Sequence, residues 1–234
     1  MDLIWQGLRE GILLLIQGDR EVLDITLRTL KISGAATLLS LLLGIPLGCF
    51  LALKRFQGRN AIITLIYTSM GLPPVVAGLW VSLLLWRSGP LGFLGLMYTP
   101  AAIVIAQVAL AAPIITSLTI VGMQQIDPKL VMQLKSLGAS RWQLWYTLIK
   151  EARLAIMAAV IAGFGGVVSE VGASMMVGGN IAGQTRVLTT AIVLEVSRGN
   201  FSKGIALSIV LLALAYIIIF ILTLTQQRGK LHET

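Results

Sequence analysis

Asp-Pro-Lys-Leu-Val-Met-Gln-Leu-Lys-Ser-Leu-Gly-Ala-Ser-Arg-Trp-Gln-Leu-Trp-Tyr-Thr-Leu-Ile-Lys-Glu-Ala-Arg, residues 127 to 153, is a charged insert between two long apolar runs. Its residues carry the start and stop signals of two helices. Asp127 suits an N-cap, and Pro128 suits the first helical position, where its missing N–H costs nothing. Leu130, Leu134 and Leu137 recur at i, i+4 and i+7, which places them on one helix face. Gly138 and Ala139 follow; the glycine can take the left-handed conformation of a tight exit. Ser140, with Gln143 three residues on, is a capping-box pattern that opens a second helix at Arg141. On that helix Trp142, Leu144, Trp145 and Leu148 are expected to pack against the rest of the chain. A chain that only had to turn around would need a few residues. A doubly capped insert points instead to a docking element, with a plain connector as the alternative.

The surroundings of the insert are apolar. The chain has 234 residues, 56% hydrophobic and 12% charged, with a mean hydropathy of +0.89. Soluble domains carry about 25% charged residues, so the solvent for this surface is lipid. One cysteine (Cys49) and one histidine (His232) exclude disulfides, cysteine–histidine catalysis and zinc sites built within the chain. The net charge of +8 sits in loops between apolar runs, which fits retention at an inner membrane face rather than binding to nucleic acid. The early apolar patch from Ile12 to Ile16 is short, follows Arg9 and Glu10 and lacks a small-residue cleavage site, so no signal peptide is expected.

Roughly 20 apolar residues cross about 30 Å of hydrocarbon. Five segments meet that length: Ile32–Leu53, Ala61–Trp86, Ala101–Val121, Leu154–Val177 and Ile205–Leu224. Residues 3 to 16 would reach only about 21 Å, so residues 1 to 21 read as an interfacial segment, with a short sixth span as the alternative. The whole chain is thus one all-α polytopic membrane domain, residues 1 to 234. Lys54, Arg55 and Arg59 follow the first span, and Lys129, Lys135, Arg141, Lys150 and Arg153 crowd the insert. Short basic loops stay inside. With Arg228 and Lys230, they place the insert and the C-terminus in the cytoplasm and the N-terminus outside. Three basic residues between 178 and 204 oppose this bias.

Two interruptions stand out. Gly71-Leu72-Pro73-Pro74 falls inside the second apolar run, where proline removes backbone donors and disfavours helix before it. Broken helices at membrane depth survive only in protein or beside a watery cavity. The break is either a packing kink or part of a pathway. The second is Gly178-Gly179-Asn180, followed by a polar stretch in which Thr189–Leu194 reads as a short re-entrant or surface helix. Glu170 is the acidic residue deep in the fourth span. A charge there must face protein or water, so it reads as a gate residue or a hydrogen-bonded clamp, beside Gly172, Ala173 and Ser174, which allow close helix approach. Arg186 is free to attract an anion or to anchor the interface.

With these residues in hand, the chain resembles the permease subunits of ABC-type importers. Gly138-Ala139-Ser140-Arg141-Trp142 matches the centre of their cytoplasmic coupling loop, residues 127 to 150 here. The loop's usual Glu-Ala-Ala and Leu-Pro positions read Met132-Gln133-Leu134 and Lys150-Glu151. Leu72-Pro73-Pro74-Val75-Val76-Ala77-Gly78 resembles the proline pair of molybdate and tungstate permeases. Residues 169 to 181, with Glu170, Gly172, Gly178, Gly179 and Asn180, and the following 185 to 192, resemble a longer stretch of the same family. Gly89-Pro90-Leu91-Gly92 and the loop departures look most like the tungstate branch.

The resemblance implies a type I importer permease fold acting as a homodimer. It also implies two ATP-binding cassette subunits that hold ATP and magnesium, an extracytoplasmic oxyanion-binding protein, and an inner-membrane location among lipid. Asp127, Pro128, Leu134, Leu137, Gly138, Ala139, Ser140, Arg141 and Trp142 would couple to the ATPase. Pro73, Pro74, Glu170, Gly172, Gly178, Gly179 and Asn180 would form the pathway or gate. The chain itself has no Gly-x-x-x-x-Gly-Lys-Ser/Thr loop to cradle phosphates, and no cofactor of its own is expected. The transported ion would be tungstate, with molybdate or sulfate as alternatives. A gradient-driven carrier would want inverted repeats and a second intramembrane charge, and a membrane enzyme would want acid–base pairs or a metal cluster.

Overall fold

The computed structural model describes residues 2–228; Lys230 and His232 lie outside them. The described residues form eleven α-helices and one 3-10 turn, and no strand. In order these are α1 (Asp2–Ile16), α2 (Arg20–Leu53), α3 (Arg59–Met70), α4 (Pro74–Leu85), the turn at Gly92–Leu94, α5 (Pro100–Gln124), α6 (Pro128–Ser136), α7 (Arg141–Glu151), α8 (Arg153–Val168), α9 (Gly172–Gly178), α10 (Leu188–Ser197) and α11 (Phe201–Arg228).

Three helices, α2, α5 and α11, are long and apolar enough to cross a membrane alone. Counting two bent pairs as spans gives up to five. The helix carrying the expected first span starts twelve residues earlier than Ile32, because Asp19 caps it and accepts from the Glu21 and Val22 amides. At 34 residues it is about 51 Å long. Its first turns carry Arg20, Glu21, Asp24, Arg28 and Lys31, which an apolar-run test passes over.

Small residues let these helices approach closely, as van der Waals packing in lipid favours. A Cβ on Gly48 of α2 would stand 2.8 Å from the Thr116 carbonyl of α5. A Cβ on Gly78 of α4 would stand 2.7 Å from the Ala173 Cα of α9. One core cluster joins α4, α5 and α9 through Val81, Ile103 and Val177. Another joins α2, α5 and the insert through Cys49, Met123 and Leu148.

The sequence places one span over Leu154–Val177; the structure breaks it. Helix α8 stops at Val168, and α9 restarts at Gly172 after Ser169-Glu170-Val171. No proline forces this break. Glu170 stabilises it instead, by supplying the acceptors that the first amides of α9 would otherwise lack. The second expected span is also two helices, α3 and α4, which meet at 109° across Gly71–Pro73. The segment read as Thr189–Leu194 is α10, and its first turn, Leu188 to Ala191, is buried rather than at the surface.

Candidate functional site

Two sites emerge, one at the insert and one where the two broken spans meet. In the insert, Asp127 Oδ1 accepts from the Lys129 amide at 2.8 Å and opens α6. Gly138 has φ +77. Its N–H donates to Lys135 O, and the next amide, Ala139, reaches Leu134 O at 3.0 Å. This paired closure is a Schellman motif, and it satisfies two carbonyls that the helix end would leave open. The Ser140 amide then donates to Gln143 Oε1 at 2.8 Å while Ser140 Oγ accepts from the Gln143 amide at 3.3 Å, a complete capping box for α7. The α6–α7 turn is therefore rigid by local chemistry alone.

Helix α7 leaves its neighbour α8 at 65°. Leu148 is fully buried, with Leu144 and Trp145 packed beside it against α2 and α5 residues. Trp142 does not share this role: it is 86% exposed. At 100° per residue, Leu144, Trp145 and Leu148 share one face, and Trp142 and Tyr146 fall on the other. Leu137 departs from the expected α6 face for a related reason. It follows the last helical residue, at the C-cap, and is 83% exposed, whereas Leu130 packs on the inner cluster. The turn thus presents Met132, Leu137, Trp142 and Tyr146, all exposed, around Gly138, Ala139 and Arg141.

At the second site Pro73, Pro74, Glu170 and Gly172 come together. They line a cavity of about 550 Å³ with Ser69 to Leu72, three α5 residues and the end of α8. No Lys or Arg stands in its wall. The two breaks touch: a Cβ on Gly172 would meet Val75 Cγ2 at 2.8 Å. Glu170 is 5% exposed. Its Oε1 accepts from the Ala173 amide at 2.6 Å, and its Oε2 accepts from the Ser174 amide at 3.0 Å and from Ser174 Oγ. The backbone of Glu170 binds on both sides as well: its N–H donates to Val167 O, and its carbonyl accepts from Thr189 Oγ1 at 2.8 Å. One residue thereby ties α8, α9 and α10.

Gly178, Gly179 and Asn180 are not part of this cavity. They sit at the other end of α9, about 10 Å away along seven residues. Gly179 has φ +68 and Asn180 φ +51. Thr185 Oγ1 donates to Gly178 O at 2.6 Å and accepts from the Ile181 amide, closing the loop on itself. Arg186 is anchored: it lies 3.4 Å from Glu21 and reaches Asn180 O at 3.5 Å, while Arg28 donates to its carbonyl. Sequence reasoning missed Thr29, whose hydroxyl accepts from the Leu188 amide and opens α10. A lone threonine in an apolar run gives no sign of such a distant partner.

The chain matches known proteins over most of its length. It is 37% identical over 93% of its residues, and 96% of the relative, to the "Tungstate uptake system permease protein TupB" of Peptoclostridium acidaminophilum. It is 28% identical over 83% of its residues, and 89% of the relative, to the "Molybdenum transport system permease protein ModB" of Azotobacter vinelandii. Its fold superposes with a TM-score of 0.76 on a chain of a bacterial alginate ABC transporter bound to a periplasmic protein, at 17% identity over 92% of this chain and 82% of that one. The family model for binding-protein-dependent transport system inner membrane components matches residues 44–229. This chain belongs to that family: it is an all-helical ABC-importer permease.

Proposed function

We propose that this chain is the membrane subunit of an ATP-driven importer for a tetrahedral oxyanion, with tungstate as the substrate. Two copies pair across the pathway, two ATPase subunits bind ATP and magnesium beneath them, and an external protein delivers the anion. The observation that carries this reading is the self-capped α6–α7 turn, which offers Leu137 and Trp142 outward on a rigid frame. The insert and the C-terminus face the cytoplasm. Residues 127 to 142 seat in the ATPase, with Gly138 as the turn.

A rigid element that is gripped must pass its displacement to something bistable. The buried face of α7, through Leu144, Trp145 and Leu148, is the contact that moves with the ATPase and pulls on α2 and α5. The broken spans are the gate: α4 and α9 move as a packed pair, pivoting at Pro73–Pro74 and at Glu170. Glu170 acts as the clamp of the pivot, because its acceptors keep the α9 amides satisfied while the break is held. Gly178, Gly179 and Asn180 form the far hinge of α9.

The dianion meets no fixed cation in the cavity wall, and the only carboxylate there is bonded to α9. Passage without a resting site favours release. It leaves discrimination between tungstate, molybdate and sulfate to the delivering protein. Tungstate is preferred among them because the tungstate relative shares more of this chain than the molybdenum relative does.

The test is reconstitution of the chain with its ATPase and binding protein, reading anion-stimulated ATP hydrolysis. Stimulation by tungstate at lower concentration than molybdate or sulfate is expected. Stimulation by sulfate alone overturns the substrate. Uptake that continues without ATP, driven by an ion gradient, overturns the mechanism.

A further inference from the structure

Lys54, Arg55 and Arg59 mark the turn between α2 and α3, at the end of the molecule that carries the insert. That end is strongly one-signed: residues 54–59 and 127–153 hold eight basic residues and two acidic ones. Arg59 is partly engaged, since Nε donates to Leu51 O at 2.6 Å and closes the last turn of α2. None of Lys54, Arg55 and Arg59 forms an ion pair among the described residues. Two adjoining cavities of about 440 and 560 Å³ have both Arg55 and Arg59 in their walls. The second runs from the turn to Pro128 and Met132 of α6.

Beside the charges lies an apolar strip. Phe56, in the wall of the first cavity, packs on Phe50 of α2 with ring centroids 5.8 Å apart. Phe50 is itself 41% exposed, one turn inside the apolar stretch. Cations in a cavity, continuous with exposed aromatic side chains at the end of an apolar helix, form an amphipathic site. It fits a ligand with a phosphate at one end and an acyl chain at the other.

We propose that the α2–α3 turn binds the headgroup of an anionic phospholipid, with Arg55 and Arg59 on the phosphate and the Phe50–Phe56 pair against the chain. Guanidinium groups suit phosphate oxygens through paired donors. Basic clusters at the cytoplasmic rim of membrane helices attract acidic lipid. A free oxyanion offers the same charge but makes no use of the aromatic strip, so lipid is the occupant. The site rests on the membrane reading of the chain but not on what is transported.

Native mass spectrometry of the full chain, released from micelles containing phosphatidylglycerol or phosphatidylcholine, tests this without transport or ATP. The expected result is retained phosphatidylglycerol, with retention falling about fivefold in Arg55→Gln, the loss one interfacial charge implies. Arg55 is exposed, so the fold should persist in this variant. Lys129→Gln, on the same rim but outside both cavities, should leave retention unchanged. Equal retention of the two lipids overturns the site, as does undiminished phosphatidylglycerol in Arg55→Gln. Displacement of the lipid by millimolar inorganic phosphate makes it a free-anion site and overturns the lipid as occupant.

Discussion

The insert at 127–151 and the loop end at 178–203 are both polar breaks in an apolar chain, yet they are built in opposite ways. Among the described residues, no side-chain hydrogen bond or ion pair ties 127–151 to the rest of the protein; its side-chain hydrogen bonds are the caps at Asp127 and Ser140 and one bond within α6. The other end is tied across long sequence distances. Glu21 bridges Lys203 at 2.6 Å and Arg186 at 3.4 Å, Arg28 binds the Arg186 carbonyl, and Thr29 caps α10. One end gets its shape from its own sequence and keeps its apolar side chains for something else. The other spends its polar groups on holding helices α2, α10 and α11 together. On the proposed function the first surface is gripped and the second stays fixed, and those two tasks call for different chemistry.

Mutations can break this contrast. The largest expected effect is Gly138→Val. A β-branched residue at φ +77 is strained by about 1–2 kcal/mol or more, in a turn closed by its own backbone bonds. Anion-stimulated ATP hydrolysis should fall at least tenfold while the chain still inserts and folds. Normal hydrolysis in this variant would mean the turn is not the docking element. Next, Leu137→Ala with Trp142→Ala removes two exposed anchors. Co-purification of the ATPase should drop about tenfold or more, with apparent melting in detergent unchanged. A matching fall in melting temperature would show that these side chains serve the fold.

Glu170→Gln sharpens the comparison from the side of the proposed gate. The amide oxygen can keep either the Ala173 or the Ser174 N–H, but the NH2 then stands against the other backbone N–H, costing about 1.5–3 kcal/mol. Lower thermal stability and severalfold slower uptake are expected, and unchanged values for both would dismiss the clamp. Smallest is Glu21→Gln. It removes two partly exposed ion pairs worth under about 1 kcal/mol together, and less in salt. A shift of a degree or so in melting, vanishing at high ionic strength, is the expected reading; a large shift insensitive to salt would mean the loop end is held by more than charge.

The contrast also explains what could be read from sequence. Caps are local rules, so Asp127, Pro128, Gly138 and the Ser140–Gln143 pair announce α6 and α7 from sequence alone. The Pro73–Pro74 break was equally visible, because proline disrupts helices wherever it lies. The α8–α9 break was not, since Ser169-Glu170-Val171 holds neither glycine nor proline and the hydropathy runs on. A carboxylate three and four residues before Ala173 and Ser174 is the one available hint, and it reads as a burial problem rather than as a cap. The aromatic character of Trp142 suggests an inward side chain, but its angle around the helix decides. The anchoring of Arg186 depends on partners more than 150 residues away, which no local rule reaches.

Cys49 is fully buried between α2, α5 and the insert, and it is the chain's one thiol. The native protein is therefore close to silent toward maleimide probes. A Ser136→Cys variant, a near-isosteric exchange at an exposed position beside the turn, would report occupancy of the α6–α7 turn by a single label, with no background residue to remove first.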